Sequence, residues 1–134
     1  MGKWKAAVDL LPIMLAKGIE PDVYTLGATI SALGDGCRWQ QALQLLNDMQ
    51  RLHRVQPNVF IYKAAITACG NGRQWQKALH LLEEMRTRGL HPDASTYTAA
   101  ITACGKSGQW QKGLQLLEEM RTRGLHPDAS NDLF

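Results

Sequence analysis

The chain has 134 residues, 45% of them apolar and 20% charged, with a net charge of +3 at pH 7; that excludes a disordered chain and permits, without demanding, an anionic partner. No apolar run is long enough to cross a bilayer, so no membrane association is expected. Three cysteines (Cys37, Cys69 and Cys104) with no C-x-x-C pair argue against a disulfide framework and for a reducing compartment.

The first predicted element is a helix over residues 3–17. Its stretch, MGKWKAAVDLLPIMLAKG, is a poor signal peptide because Asp9 and Pro12 break the apolar run. No Arg- and Ser-rich transit segment is visible. Helix pairs are expected near 24–34 with 39–53, and near 60–70 with 75–88. In the last pair, Tyr97, Ala100, Ile101 and Cys104 recur at a spacing of three and four. Ser95 or Thr96 is the expected cap, and Gly105 to Gly108 punctuate the end. A second helix starts near Gln109, with Trp110, Leu114, Leu117 and Met120 on one stripe and Glu118, Glu119, Arg121 and Arg123 on the other face. Gly124 suits a left-handed C-terminal cap, and Pro127 stops continuation.

The elements repeat. Trp4, Trp39, Trp75 and Trp110 are spaced by 35, 36 and 35 residues, and each opens a similar phrase: WKAAVDLL, WQQALQLL, WQKALHLL, WQKGLQLL. The phrases close on Pro21-Asp22, Pro57-Asn58, Pro92-Asp93 and Pro127-Asp128. The predicted organisation is a partial unit over 1–22 containing only a second helix, full units over 23–58, 59–93 and 94–128, and a stub over 129–134. The last two full units differ at 9 of 35 positions. A fixed period of this size is the mark of a stacked array, in which one helical hairpin cannot bury its apolar stripe until a neighbour covers it. The expected fold class is therefore an all-α solenoid of helix-turn-helix repeats. The extra residue in unit 23–58, near Leu52 to Gln56, is expected to be absorbed in the loop before Pro57 without unstacking the hairpins.

The phrase A-x-x-L-L-E-E-M-R-x-R-G-L-x-P-D, followed by Y-x-A-A-I-T-A-C-G-K, resembles the pentatricopeptide repeat (PPR) family from Trp4 to Asp128. The resemblance implies a right-handed α-solenoid that binds single-stranded RNA. It also implies a role in RNA processing, stability or translation in a mitochondrion or chloroplast; without it, a cytoplasmic protein would be the reading. In the family the first helices line the RNA groove. The fifth and last residues of each unit read base edges, which here are Gly27 with Asn58, Lys63 with Asp93, and Thr98 with Asp128. The second residue packs on the base plane, which here is Tyr24, Phe60 or Ser95. The resemblance pairs Thr98 and Asp128 with a purine, guanine first, and assigns no base to the other two units.

The residues themselves suit that chemistry. A threonine hydroxyl and a carboxylate together satisfy a base edge, and aromatic rings stack on bases for roughly 1–3 kcal/mol each. Of the nine differences, Val59/Ala94, Phe60/Ser95, Ile61/Thr96 and Lys63/Thr98 cluster at the start of the first helix. Asn71/Lys106, Gly72/Ser107 and Arg73/Gly108 cluster at its end. Variable first helices on a fixed spine fit a reader; drift after duplication is the alternative. Lys106, Arg38 and Arg73 are candidate phosphate contacts. Arg86, Arg88, Arg121 and Arg123 are expected to face outward, and Glu83, Glu84, Glu118 and Glu119 to form a solvated surface.

His91 and His126 match in position but have no companion ligands, so no metal site is expected. No nucleophile elbow, P-loop or dinucleotide fingerprint is present, and neither an enzyme, a cofactor nor a small-molecule substrate is expected. The expected partners are single-stranded RNA and protein partners or further PPR repeats. The alternatives are a protein-interaction scaffold and a truncated fragment without independent function.

Overall fold

The computed structural model describes residues 22–51 and 54–125, with positions 9, 13, 14 and 16–18 before them. The helix predicted over 3–17 lies for the most part outside the described residues, as do Asp128 and the stub over 129–134. Six helices of thirteen residues each follow in order: α1 (Val23–Asp35), α2 (Trp39–Arg51), α3 (Val59–Asn71), α4 (Trp75–Thr87), α5 (Ala94–Lys106) and α6 (Trp110–Thr122). They pair as the three predicted hairpins, α1/α2, α3/α4 and α5/α6.

The first helix of each hairpin starts on a side-chain cap. Asp22 accepts from the Thr25 amide at 2.8 Å, Asn58 from the Ile61 amide at 3.0 Å, and Asp93 from the Thr96 amide at 2.8 Å. Asp93 also accepts from the Thr96 hydroxyl at 2.7 Å. The cap of α5 is therefore Asp93 rather than Ser95 or Thr96; Thr96 is a buried partner of the cap. Each such bond satisfies a helix-end N–H that has no intrahelical acceptor.

The first helices end on a residue in the left-handed region: Cys37 (φ 58), Arg73 (φ 58) and Gly108 (φ 76). The chain then turns back through bonds such as Gln74 N–H to the Cys69 carbonyl at 2.8 Å and Arg73 N–H to the Gly70 carbonyl at 3.0 Å. This is the paired closure of a Schellman turn. At the ends of α4 and α6, Gly89 and Gly124 take the left-handed position, and the amides of Leu90 and Leu125 reach back to the Met85 and Met120 carbonyls at 2.9 Å. At the end of α2 the amide of Val55 reaches the Met49 carbonyl at 2.7 Å, across one more residue, with Arg54 (φ 55) in the left-handed position. The insertion is thus absorbed in the turn ahead of Pro57.

Stacking runs through the first helices. α1 packs along α3, and α3 along α5, while the backbones of α2, α4 and α6 do not approach one another. The close approach depends on small residues. A Cβ on Gly34 would lie 3.1 Å from the Ala68 Cβ, and one on Gly70 would lie 3.0 Å from the Ala103 Cβ. First helices that nearly touch, with second helices fanned apart, give a curved stack with α1, α3 and α5 on its inner side. Leu26, Ile30, Ile61, Tyr62, Ala65, Tyr97 and Ala100 are fully buried between the helices, as are Met49, Met85 and Met120 at one matching position of the second helices. Burial of each such large side chain is worth about 1.5–3 kcal/mol.

Of the tryptophans that mark the period, Trp39 and Trp75 are packed against the core. Trp39 lies against the turn of the next hairpin, so close to Gly72 that a Cβ there would sit 2.1 Å from its ring, and Lys77 stands 5.6 Å from the ring centroid. Trp110, at the matching place in the last described hairpin, is 60% exposed, and Leu114 is also exposed. The apolar stripe predicted for α6 is therefore only partly covered among the described residues.

Candidate nucleic-acid interface

The inner face is built by the N-terminal halves of α1, α3 and α5. Tyr24 is 78% exposed and Phe60 51% exposed, at the same position of successive hairpins. Large rings left open at corresponding places are unusual for residues whose neighbours on the same helices are buried. Ser95 holds that position on α5 and is also exposed.

Gly27 and Phe60 are brought together. Gly27 is buried, and a Cβ there would lie 2.8 Å from the Phe60 ring. Glycine lets the ring lean on α1, and any side chain at this position would displace it. Lys63 is half-buried on α3. Thr98 is half-buried on α5, and its hydroxyl donates to the Ala94 carbonyl at 2.8 Å, leaving its oxygen able to accept.

Asn58 and Asp93 are exposed, and each commits one side-chain oxygen to a helix cap. The Asn58 amide nitrogen and the second Asp93 oxygen point to no protein partner among the described residues. The cap role was missed for these residues in the sequence, although the spacing of Asp93 and Thr96 signals it. Asp22, the matching residue before α1, shows the electrostatic side of the cap. The Thr25 amide and hydroxyl hydrogen bonds hold its carboxyl below the ordinary value.

The cationic candidates are dispersed. Lys106 donates to the Asn71 side-chain oxygen at 2.6 Å, and the Asn71 amide donates to the Gly34 carbonyl at 2.9 Å. These bonds form a polar ladder across the C-terminal ends of α1, α3 and α5, where the helix dipoles favour a cation. Arg38 and Arg73 are exposed in the hairpin turns. The ladder was not foreseen; Asn71 and Lys106 share a position in successive hairpins, which is the signal that could have found it.

Two expectations for the second helices are corrected. Arg86 does not face outward: only 20% of its side chain is exposed, and it wedges between hairpins, 2.7 Å from Glu119 and donating to the Tyr97 hydroxyl. Burial opposes its charge, but the Glu119 and Tyr97 hydrogen bonds outweigh that and raise its pKa. Glu119 and Glu84 are likewise not free surface carboxylates. Glu84 accepts from the Tyr62 hydroxyl at 2.6 Å. Burial and that carboxylate push the Tyr62 phenol well above its ordinary value.

Comparison with known proteins adds to this geometry. A pentatricopeptide repeat domain matches residues 9–73, the PPR repeat family residues 57–106, and a PPR repeat residues 95–125. The matches run on from one another over nearly the whole described chain. The chain belongs to the pentatricopeptide repeat family. Among solved structures, it is similar to the pentatricopeptide repeat protein PPR10 in complex with an 18-nt psaJ RNA element. That match has 29% identity and a TM-score of 0.86, covering 96% of this chain and 19% of that one. PPR10 from maize matches at 20% identity and a TM-score of 0.80, over 96% of this chain and 18% of that one. The PPR domain of Arabidopsis thaliana protein-only RNase P 1, in complex with tRNA, matches at 15% identity and a TM-score of 0.74, over 95% of this chain and 65% of that one. At these lower identities the last two bear on the fold alone. The chain spans about a fifth of the PPR10 chain. A sequence comparison with the curated proteins gives no match. The family assignment and the hairpin stack agree on an all-α PPR solenoid.

Proposed function

We propose that this chain is a single-stranded RNA-binding PPR module, with units 23–58, 59–93 and 94–128 each contributing a first helix to the RNA face. The observation that carries the reading is the pair of open rings, Tyr24 and Phe60, at one repeated position of the inner face. The similarity to PPR10, solved with RNA, supports it. In this reading bases stack on Tyr24 and Phe60, with Ser95 beside the third. Base edges meet Lys63 with Asp93 and Thr98 with Asp128, the last pair favouring guanine. Gly27 offers only backbone under the Phe60 ring, so unit 23–58 reads with Asn58 alone. Lys106, Arg38 and Arg73 supply phosphate contacts. About three nucleotides are covered at one base per unit, and the role is in RNA processing, stability or translation in a mitochondrion or chloroplast.

The test is fluorescence anisotropy of the purified chain with a randomised short single-stranded RNA pool at low and moderate salt. Binding that weakens with salt, and that Phe60→Ala reduces by roughly tenfold through a lost stacking platform, is the expected result. Lys63→Ala and Thr98→Ala are expected to weaken it further. A folded, helical chain that binds nothing at low salt would overturn the proposal.

A further inference from the structure

The two junctions between hairpins are built from the same positions but are not filled alike. At the junction of α4 with α5 and α6, Arg86 is inserted between Tyr97 and Glu119. Its guanidinium lies 5.5 Å from the Tyr97 ring centroid, donates to the Tyr97 hydroxyl and meets the Glu119 carboxylate at 2.7 Å. Glu119 holds a second guanidinium as well, that of Arg123, at 3.7 Å.

At the junction of α2 with α3 and α4, Tyr62 and Glu84 stand where Tyr97 and Glu119 stand 35 residues later, and Arg88 stands for Arg123. Arg88 meets Glu84 at 3.7 Å, which repeats the longer of the two contacts. The shorter contact has no counterpart, because Gln50 replaces the inserted arginine. The Gln50 side chain is turned to Gln56 at 3.3 Å and accepts from Arg88 at 2.7 Å. Asn47 replaces Glu83, the other carboxylate that Arg86 touches. In place of the guanidinium there is a cavity of 240 Å³, lined by Asn47, Gln50, Tyr62, Leu81, Glu84 and Arg88 among others.

We propose that this cavity is a binding site for a guanidinium group, supplied by an arginine side chain of a partner polypeptide that docks on the second-helix side of the stack. The sister junction is the argument: the same tyrosine and glutamate, in the same fold, already hold a guanidinium there. The Tyr62 ring is itself buried and its hydroxyl donates to Glu84 at 2.6 Å. The guanidinium would therefore meet the rim of the cavity at the Glu84 carboxylate and the phenol oxygen, as Arg86 meets Glu119 and the Tyr97 hydroxyl; a lysine ammonium lacks that planar set of donors. The cavity lies on the second-helix side, away from Tyr24 and Phe60, which separates this site from the proposed RNA face.

The experiment is an NMR titration of the ¹⁵N-labelled full chain with N-acetyl-arginine amide, with the lysine and citrulline equivalents as controls, at concentrations on the order of 10 mM. Saturable shifts at the Tyr62, Leu81 and Glu84 amides with the arginine probe, and none with citrulline, are expected. Gln50→Arg is expected to abolish them by filling the cavity from within, and to raise the unfolding midpoint. Glu84→Gln is expected to weaken binding at least tenfold while the chain stays folded. The proposal is overturned if the arginine probe gives no saturable shift on the folded chain, if the lysine or citrulline probe does as well, or if Gln50→Arg leaves the response intact.

Discussion

Gly70 and Gly105 occupy the same place in successive hairpins, each next to last in its helix, yet they meet different surroundings. A Cβ on Gly70 would lie 3.0 Å from the Ala103 Cβ and 3.1 Å from its Cα, whereas one on Gly105 meets nothing within 4 Å. Alanine at either position gains helix propensity of roughly 0.5–1 kcal/mol. At Gly70 the neighbour is backbone of α5, which cannot turn aside as a flexible side chain would. Overpacking of this kind costs about 1–3 kcal/mol. Gly105→Ala should therefore stabilise the chain. Gly70→Ala should destabilise it relative to Gly105→Ala by about 1–3 kcal/mol, because the propensity gain cancels in the comparison. Urea unfolding followed by circular dichroism reads both. Equal midpoints for the two variants would refute the claim that the α3–α5 spacing depends on glycine.

Other outcomes follow from the caps, the turns and the thiols. Asp93→Ala should cost about 1 kcal/mol by uncapping α5, measured in the same urea series, whereas Asp93→Asn should keep most of the stability, since Asn58 caps the matching helix α3. The Asp22 carboxyl is held below its ordinary value, so its contribution is present above about pH 4 and is lost as pH falls through the lowered value. Thermal melts between about pH 5 and pH 2 should fall more steeply for the native chain than for Asp22→Asn. Arg73→Gly should raise stability by about 0.5–1 kcal/mol, because a side chain at φ 58 is strained where glycine is not. Burial pushes the Cys69 thiol up to about 11 and the Cys104 thiol upward, while Cys37 is exposed. A thiol reagent at about pH 8 should therefore label Cys37 alone until the chain is unfolded, as peptide mass spectrometry would show.

The helices were legible because their tryptophan ruler and three-four spacing come from local packing. Trp39, Trp75 and Trp110 each open a helix as expected, and each hairpin closes where Gly or a turn replaces the pattern. Tyr24 and Phe60 fall at one position when the chain is aligned with itself, but that both rings are open is seen only in the structure. The cap role of Asn58 and Asp93 was not legible. A carboxylate or amide at a unit boundary suits a base edge and a helix cap equally, and only the backbone geometry of the following helix shows the second. Arg86 was read as a surface charge because its helix is amphipathic within one turn. Its partners, Tyr97 and Glu119, come from the next hairpin, and no periodicity within α4 reports on them. Glu84 was misjudged for the same reason, its partner Tyr62 lying on a different helix.

The account rests on RNA lying across the first helices. Ultraviolet crosslinking of the chain to a uridine-rich single-stranded RNA, followed by mass spectrometry of the adducts, tests it most directly. Crosslinks should fall on the peptides carrying Tyr24 and Phe60 and disappear when those residues are alanine. Adducts confined to α2, α4 and α6, with Trp110 as the main acceptor, would contradict it.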